Sequence, residues 1–100
     1  MDIKFEQRTV TSYPGLHYET IQVPFWAKSI QISTSGKYKF IMENSEGKHF
    51  NTAIIPPNGS ASLYKSYLPS DAKFISFLSM EPNHSFDIYV VFNNIGVENA

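Results

Sequence analysis

The chain has 100 residues, with eight Lys and Arg against nine Asp and Glu, a formal net charge of −1 and only 17% charged residues. A dedicated nucleic-acid binder working by phosphate neutralisation is normally more basic than this, and no nucleic-acid partner is expected. Val, Ile, Phe, Tyr, Trp and Thr number 35, against 29 for Ala, Leu, Glu, Lys, Gln, Arg and Met, and cysteine is absent. One β domain over residues 1–100 is expected, without a disulfide framework, a thiol nucleophile or a Cys-type zinc site.

Met1 to Val10 carries Asp2, Lys4, Glu6 and Arg8 among its apolar residues, so a cleaved signal peptide is not expected. No stretch approaches the ~20 apolar residues of a membrane span, and no membrane partner is expected. Gly, Pro, Asn and Ser clusters then break the chain at intervals that suit short strands. Eight are predicted, at 3–11, 16–23, 28–34, 37–43, 48–55, 61–67, 73–80 and 86–93. Tyr13-Pro14-Gly15 is a turn, Ser35-Gly36 joins its neighbours as a tight hairpin, and Ser45-Glu46-Gly47, Pro56-Pro57-Asn58-Gly59 and Glu81-Pro82-Asn83-His84 make longer connections. Residues 60–67 also carry Leu63, Tyr64 and Tyr67 at helical spacing, but the segment is short and serine-rich, which favours strand or irregular structure. The predicted fold is all-β, a single antiparallel β-sandwich of jelly-roll type, with an immunoglobulin-like sandwich as the alternative.

Alternation assigns strand faces. Ile30 and Ile32 oppose Ser29, Gln31 and Ser33, and Tyr38, Phe40 and Met42 oppose Lys37, Lys39, Ile41 and Glu43. The last two strands are apolar on both sides: Phe74, Leu78 and Met80 oppose Ile75 and Phe77, while Phe86, Ile88, Val90 and Phe92 oppose Tyr89 and Val91. A sandwich of this size takes roughly 24 to 32 inward side chains, fewer than the 42% of the chain that is hydrophobic. The surplus predicts a subunit interface of Ile75, Phe77, Tyr89 and Val91 with Ile41, set against a reading in which these strands are central and covered by the chain itself. Pro24-Phe25-Trp26 is the most conspicuous aromatic group. Phe25 and Trp26 are expected to meet a partner or stack on a sugar, or else Trp26 plugs the open end of the sandwich.

The residues for chemistry are not assembled. His17, His49 and His84 lack metal-ligand spacing, and His84, Ser85 and Asp87 are too close along one strand for all three to face a reacting carbon. Glu43 and Glu46 flank a hairpin tip without the Asp and Asn alternation of a calcium loop. No catalytic residue, cofactor or metal is expected. Lys37, Tyr38, Lys39 and Phe40, with Lys48, His49 and Phe50, interleave basic and aromatic residues as single-stranded nucleic-acid binders do, but alternation turns Tyr38 and Phe40 away from the lysines.

The order of elements resembles small β-sandwich structural proteins of tailed-phage virions, of the head-decoration, head-fibre and adaptor type. The resemblance runs over residues 16–93. It lies in a strand ending in proline at Ile21-Gln22-Val23-Pro24, the pair Ala27 to Ile32 and Lys37 to Met42, the turn Ile55-Pro56-Pro57-Asn58-Gly59, and closing strands from Phe74 to Met80 and Phe86 to Phe92. Asn58 separates Pro57 from Gly59 where the pattern has a direct Pro-Gly pair. The resemblance implies a non-enzymatic virion subunit, made in the host cytoplasm, that forms a homo-oligomer and docks on a capsid or tail surface. A carbohydrate-binding module, with a glycan as partner, is the alternative reading, and a small nucleic-acid-binding barrel the third.

Overall fold

The computed structural model describes residues 3–14, 18–64 and 72–95. They form eight strands: β1 (Phe5–Ser12), β2 (Tyr18–Gln22), β3 (Ser29–Thr34), β4 (Tyr38–Asn44), β5 (His49–Ile55), β6 (Ser60–Tyr64), β7 (Ala72–Ser79) and β8 (Phe86–Asn93). Residues 60–64 of the segment with a helical alternative are strand. Gly15, Leu16 and His17, and residues 65–67 with Tyr67, lie outside the described residues.

Two antiparallel four-stranded sheets result, β1-β8-β3-β6 and β2-β7-β4-β5. The pairs β1 with β8, β2 with β7, β3 with β6 and β4 with β5 are those of one long hairpin. Rolling that hairpin adds the contacts of β8 with β3 and of β7 with β4. This is the jelly-roll arrangement. It excludes the immunoglobulin-like order, in which the first two strands share a sheet.

The Ser35-Gly36 link does not close a tight hairpin, because β3 and β4 belong to different sheets. Thr34 Oγ1 accepts the Gly36 N–H at 3.1 Å and donates to the Gly36 carbonyl. The next residue is already tied to the far sheet, since Met80 N–H donates to the Lys37 carbonyl at 2.9 Å and Lys37 N–H donates to Glu81 Oε1. A Cβ on Gly36 would lie 2.5 Å from the Phe86 ring, so close packing requires the glycine there. In the link between β5 and β6, Asn58 takes the positive φ (59°) and Gly59 N–H closes the turn on the Pro56 carbonyl. Proline followed by a left-handed Asn is the type II signature.

The core lies between the sheets. One side supplies Val10, Ile30, Ile32, Phe86, Ile88, Val90 and Phe92, and the other Ile21, Tyr38, Phe40, Met42, Ile75 and Phe77. The Tyr38 and Phe77 rings meet edge to face, with centroids 5.8 Å apart. Ser12 Oγ and Tyr38 Oη are buried with no hydrogen-bond partner among the described residues. Burial pushes the Tyr38 phenol well above its ordinary pKa.

Candidate functional site

The five residues of the predicted interface do not form one surface. Ile75 stands between Ile21 and Met42, and Phe77 stands beside Phe40; both are fully buried in the core. The inward phase of β7 is therefore Ile75, Phe77 and Ser79, and Phe74 and Leu78 lie half-buried on the outside. Ile41 points outward from β4, yet it too is buried within the chain. These three are withdrawn from any subunit contact. Tyr89 (45% exposed) and the half-buried Val91 lie on the outside of the other sheet.

Around them the outer face of β1-β8-β3-β6 is neutral. Its two central rows read Gln7–Val91–Gln31–Ser62 and Thr9–Tyr89–Ser33–Ser60. A shallow groove of about 290 Å³ runs over β8, β3 and β6 there. Charge enters only at one margin, where Asp87 Oδ1 accepts a hydrogen bond from Thr11 Oγ1 at 3.0 Å.

The outer face of β2-β7-β4-β5 is charged and internally bonded. The buried Ser76 hydroxyl donates to Glu43 Oε1 at 2.9 Å and shares a 2.8 Å bond with Thr20 Oγ1. His49 Nε2 lies 3.7 Å from the same carboxylate oxygen. Serine, carboxylate and imidazole are thus adjacent, but not in the order of a hydrolase triad: the carboxylate stands between Ser76 and His49, whereas in a triad the imidazole reaches the hydroxyl and the carboxylate lies behind it.

The other sequence constellations also separate. His84 lies 3.9 Å from Glu81 and against the Phe86 ring, while Asp87 is held by Thr11 on the sheet face. Asn44 Oδ1 accepts the N–H groups of both Glu46 and Lys48, which makes the β4–β5 tip an Asn-organised turn. Among the described residues, no three His, Asp or Glu side chains converge as metal ligands. Tyr38 and Phe40 are core residues, so they are not a stacking platform for bases.

The connection from β2 to β3 splits its two aromatics. Ala27 N–H donates to the Pro24 carbonyl at 3.0 Å, closing a turn with Phe25 and Trp26 at its corners, anchored by buried Val23 and Ala27. Trp26 folds back against the core, and Phe25 stands 87% exposed. Three further strongly exposed apolar residues, Ile3 (70% exposed), Phe5 (65%) and Ile95 (58%), lie at or beside the paired ends of β1 and β8, at the same end of the fold. What joins them is the pairing of the first and last strands. Phe5 is opposite Asn93, Lys4 N–H donates to Asn94 Oδ1, Asn94 N–H donates to the Lys4 carbonyl, and Lys4 Nζ sits 5.8 Å over the Phe25 ring. Sequence reading found Phe25 but not Ile3, Phe5 or Ile95. Each is an apolar residue that no local pattern singles out, and only the β1–β8 register sets them at one end of the fold.

No protein-family model matches the chain, and no curated protein matches it. Its fold is similar to that of a chain from Bacillus endospore appendages, which form disulfide-linked pili. That likeness has a TM-score of 0.57 and 9% identity over 91% of this chain and 86% of that one. It is also similar to the crystal structure of PirA, with a TM-score of 0.55 and 11% identity over 87% of this chain and 92% of that one. At such identities the likeness is one of fold.

Proposed function

We propose that the protein is a non-enzymatic structural subunit that associates with copies of itself and docks on a larger assembly through the end of the sandwich bearing Phe25. The observation that carries this reading is that Ile3, Phe5, Phe25 and Ile95, each more than half exposed, all lie at one end of the fold. Exposed apolar side chains concentrated at one end of a fold favour a contact site there, and Phe25 is its natural anchor because aromatics dominate interface energetics. The fold likeness to an appendage chain agrees with structural work. Any assembly of these 100 residues differs from disulfide-linked pili in one respect: with no cysteine, they form no disulfide between copies. A capsid or tail surface, with the protein on the virion, is the assembly that the sequence resemblance favours.

Sedimentation velocity at micromolar concentration tests the reading. The wild-type chain is expected to run as an oligomer and Phe25→Ser as a folded monomer. A monomeric wild type, or an oligomer indifferent to Phe25→Ser, contradicts self-association through this end.

A further inference from the structure

We infer that the groove on the outer face of the β1-β8-β3-β6 sheet is a binding site for a neutral saccharide. Six outward side chains define it: Tyr89 and Val91 on β8, Gln31 and Ser33 on β3, and Ser60 and Ser62 on β6. In register they form two rows of three, Val91–Gln31–Ser62 and Tyr89–Ser33–Ser60. Strands in a sheet lie about 4.8 Å apart, so the hydroxyl and amide groups form a regular grid rather than a scatter.

Three properties select the ligand. None of the six carries a charge at neutral pH, so phosphates, sulfated or sialylated glycans and acidic peptides find no counter-ion there. Among the described residues, the side chains of Gln31, Ser33, Ser60 and Ser62 make no hydrogen bond to the protein. Their donors and acceptors are open to a ligand, unlike the Ser76 hydroxyl on the opposite sheet, which is bonded to Glu43 and Thr20. Tyr89 adds an exposed ring with a polar tip, suited to stacking on the C–H face of a sugar while its hydroxyl bonds a neighbouring group.

An apolar protein segment fits this surface poorly, because it would desolvate the hydroxyls and amides without satisfying them. A polyol supplies matching hydroxyls. The volume of about 290 Å³ falls at the small end of ligand pockets, which run from roughly 300 Å³ upward, and suits one or two rings of a longer chain. The site lies on a sheet face, away from Phe25 and Trp26, where a sugar platform is expected from the sequence.

The test uses the full chain on an array of neutral, sialylated and sulfated oligosaccharides, followed by titration of the neutral sugars retained. Binding is expected to neutral members only and to be insensitive to salt. Tyr89→Ala is expected to weaken it about tenfold, Gln31→Ala to weaken it measurably, and Phe25→Ser to leave it unchanged. Gln31→Ala keeps the test decisive if Tyr89→Ala does not fold. The inference is overturned by no binding to any neutral oligosaccharide at millimolar concentration, by preference for acidic glycans, or by binding that survives both groove substitutions. Because the Phe25 end and the groove are altered by separate substitutions, failure of one proposal is distinguishable from failure of the other.

Discussion

The two sheets of the sandwich present outer faces built on the same plan and put to different use. On β2-β7-β4-β5, Ser76 bonds both Thr20 and Glu43, His49 Nε2 lies 3.7 Å from Glu43, and Ile41 is buried although it points away from the core. On β1-β8-β3-β6, the corresponding positions carry Val91, Tyr89, Gln31 and Ser33, exposed or half-buried and neutral. A face whose polar groups are already paired contributes to stability and has little left to offer a ligand. A face whose central polar groups, here Gln31 and Ser33, are not bonded within the described structure is nearly neutral for stability there and available for contact.

Paired substitutions sharpen this contrast. The largest effect is expected at Phe77: Phe77→Ala opens a core cavity and costs about 3–5 kcal/mol, whereas Tyr89→Ala changes urea-denaturation stability by less than about 1 kcal/mol. Equal losses would mean that Tyr89 is covered in the folded chain. Next, Ile41→Ala is expected to cost about 2–4 kcal/mol and Val91→Ala about 1 kcal/mol or less, because one outward side chain is buried and the other is not. Ser76→Ala strips Glu43 and Thr20 of a partner and costs about 1–2 kcal/mol, while Ser33→Ala stays within about 0.5 kcal/mol of wild type; a silent Ser76→Ala breaks the contrast.

One substitution is expected to give a gain at neutral pH. Tyr38→Phe removes a buried hydroxyl that makes no hydrogen bond within the described structure, and a rise of about 1 kcal/mol is expected in thermal or urea unfolding. Alkaline titration gives the same residue a second signature. Burial raises the folded-state pKa of Tyr38, so above the ordinary phenol value near 10 the unfolded chain releases this proton while the folded chain retains it. Stability from this group is complete below pH 10 and falls by about 1.4 kcal/mol per pH unit above it. The Tyr38→Phe chain should lack that component, and an unchanged alkaline slope would show that Tyr38 is not its source.

Much of the architecture was legible because strand punctuation is local. The eight predicted strands coincide with the observed ones to within a few residues, since proline, glycine and Asn-containing turns act within their own neighbourhoods. The phase of β7 was not legible. Phe74 and Leu78 alternate with Ile75 and Phe77, so no polar residue marks the outside, and only the neighbours Ile21, Met42 and Phe40 decide which pair is buried. The Ser35-Gly36 link misled for a related reason: two residues suffice for a hairpin, and equally for an arch between sheets when the next residue bonds to β7. Phe25 and Trp26 are indistinguishable by composition, and the turn between Pro24 and Ala27 separates them. The apolar end itself depends on pairing residues nearly ninety positions apart, which no local pattern encodes.

The central claim is that subunits meet at the Phe25 end, and hydrogen–deuterium exchange followed from low to high micromolar protein tests it most directly, because it reports both whether contact forms and where. Amides of residues 3–5, 25–27 and 93–95 are expected to exchange more slowly as concentration rises, with β5 and β6 unchanged. Exchange independent of concentration at that end, or protection that grows on β6 instead, would contradict the account.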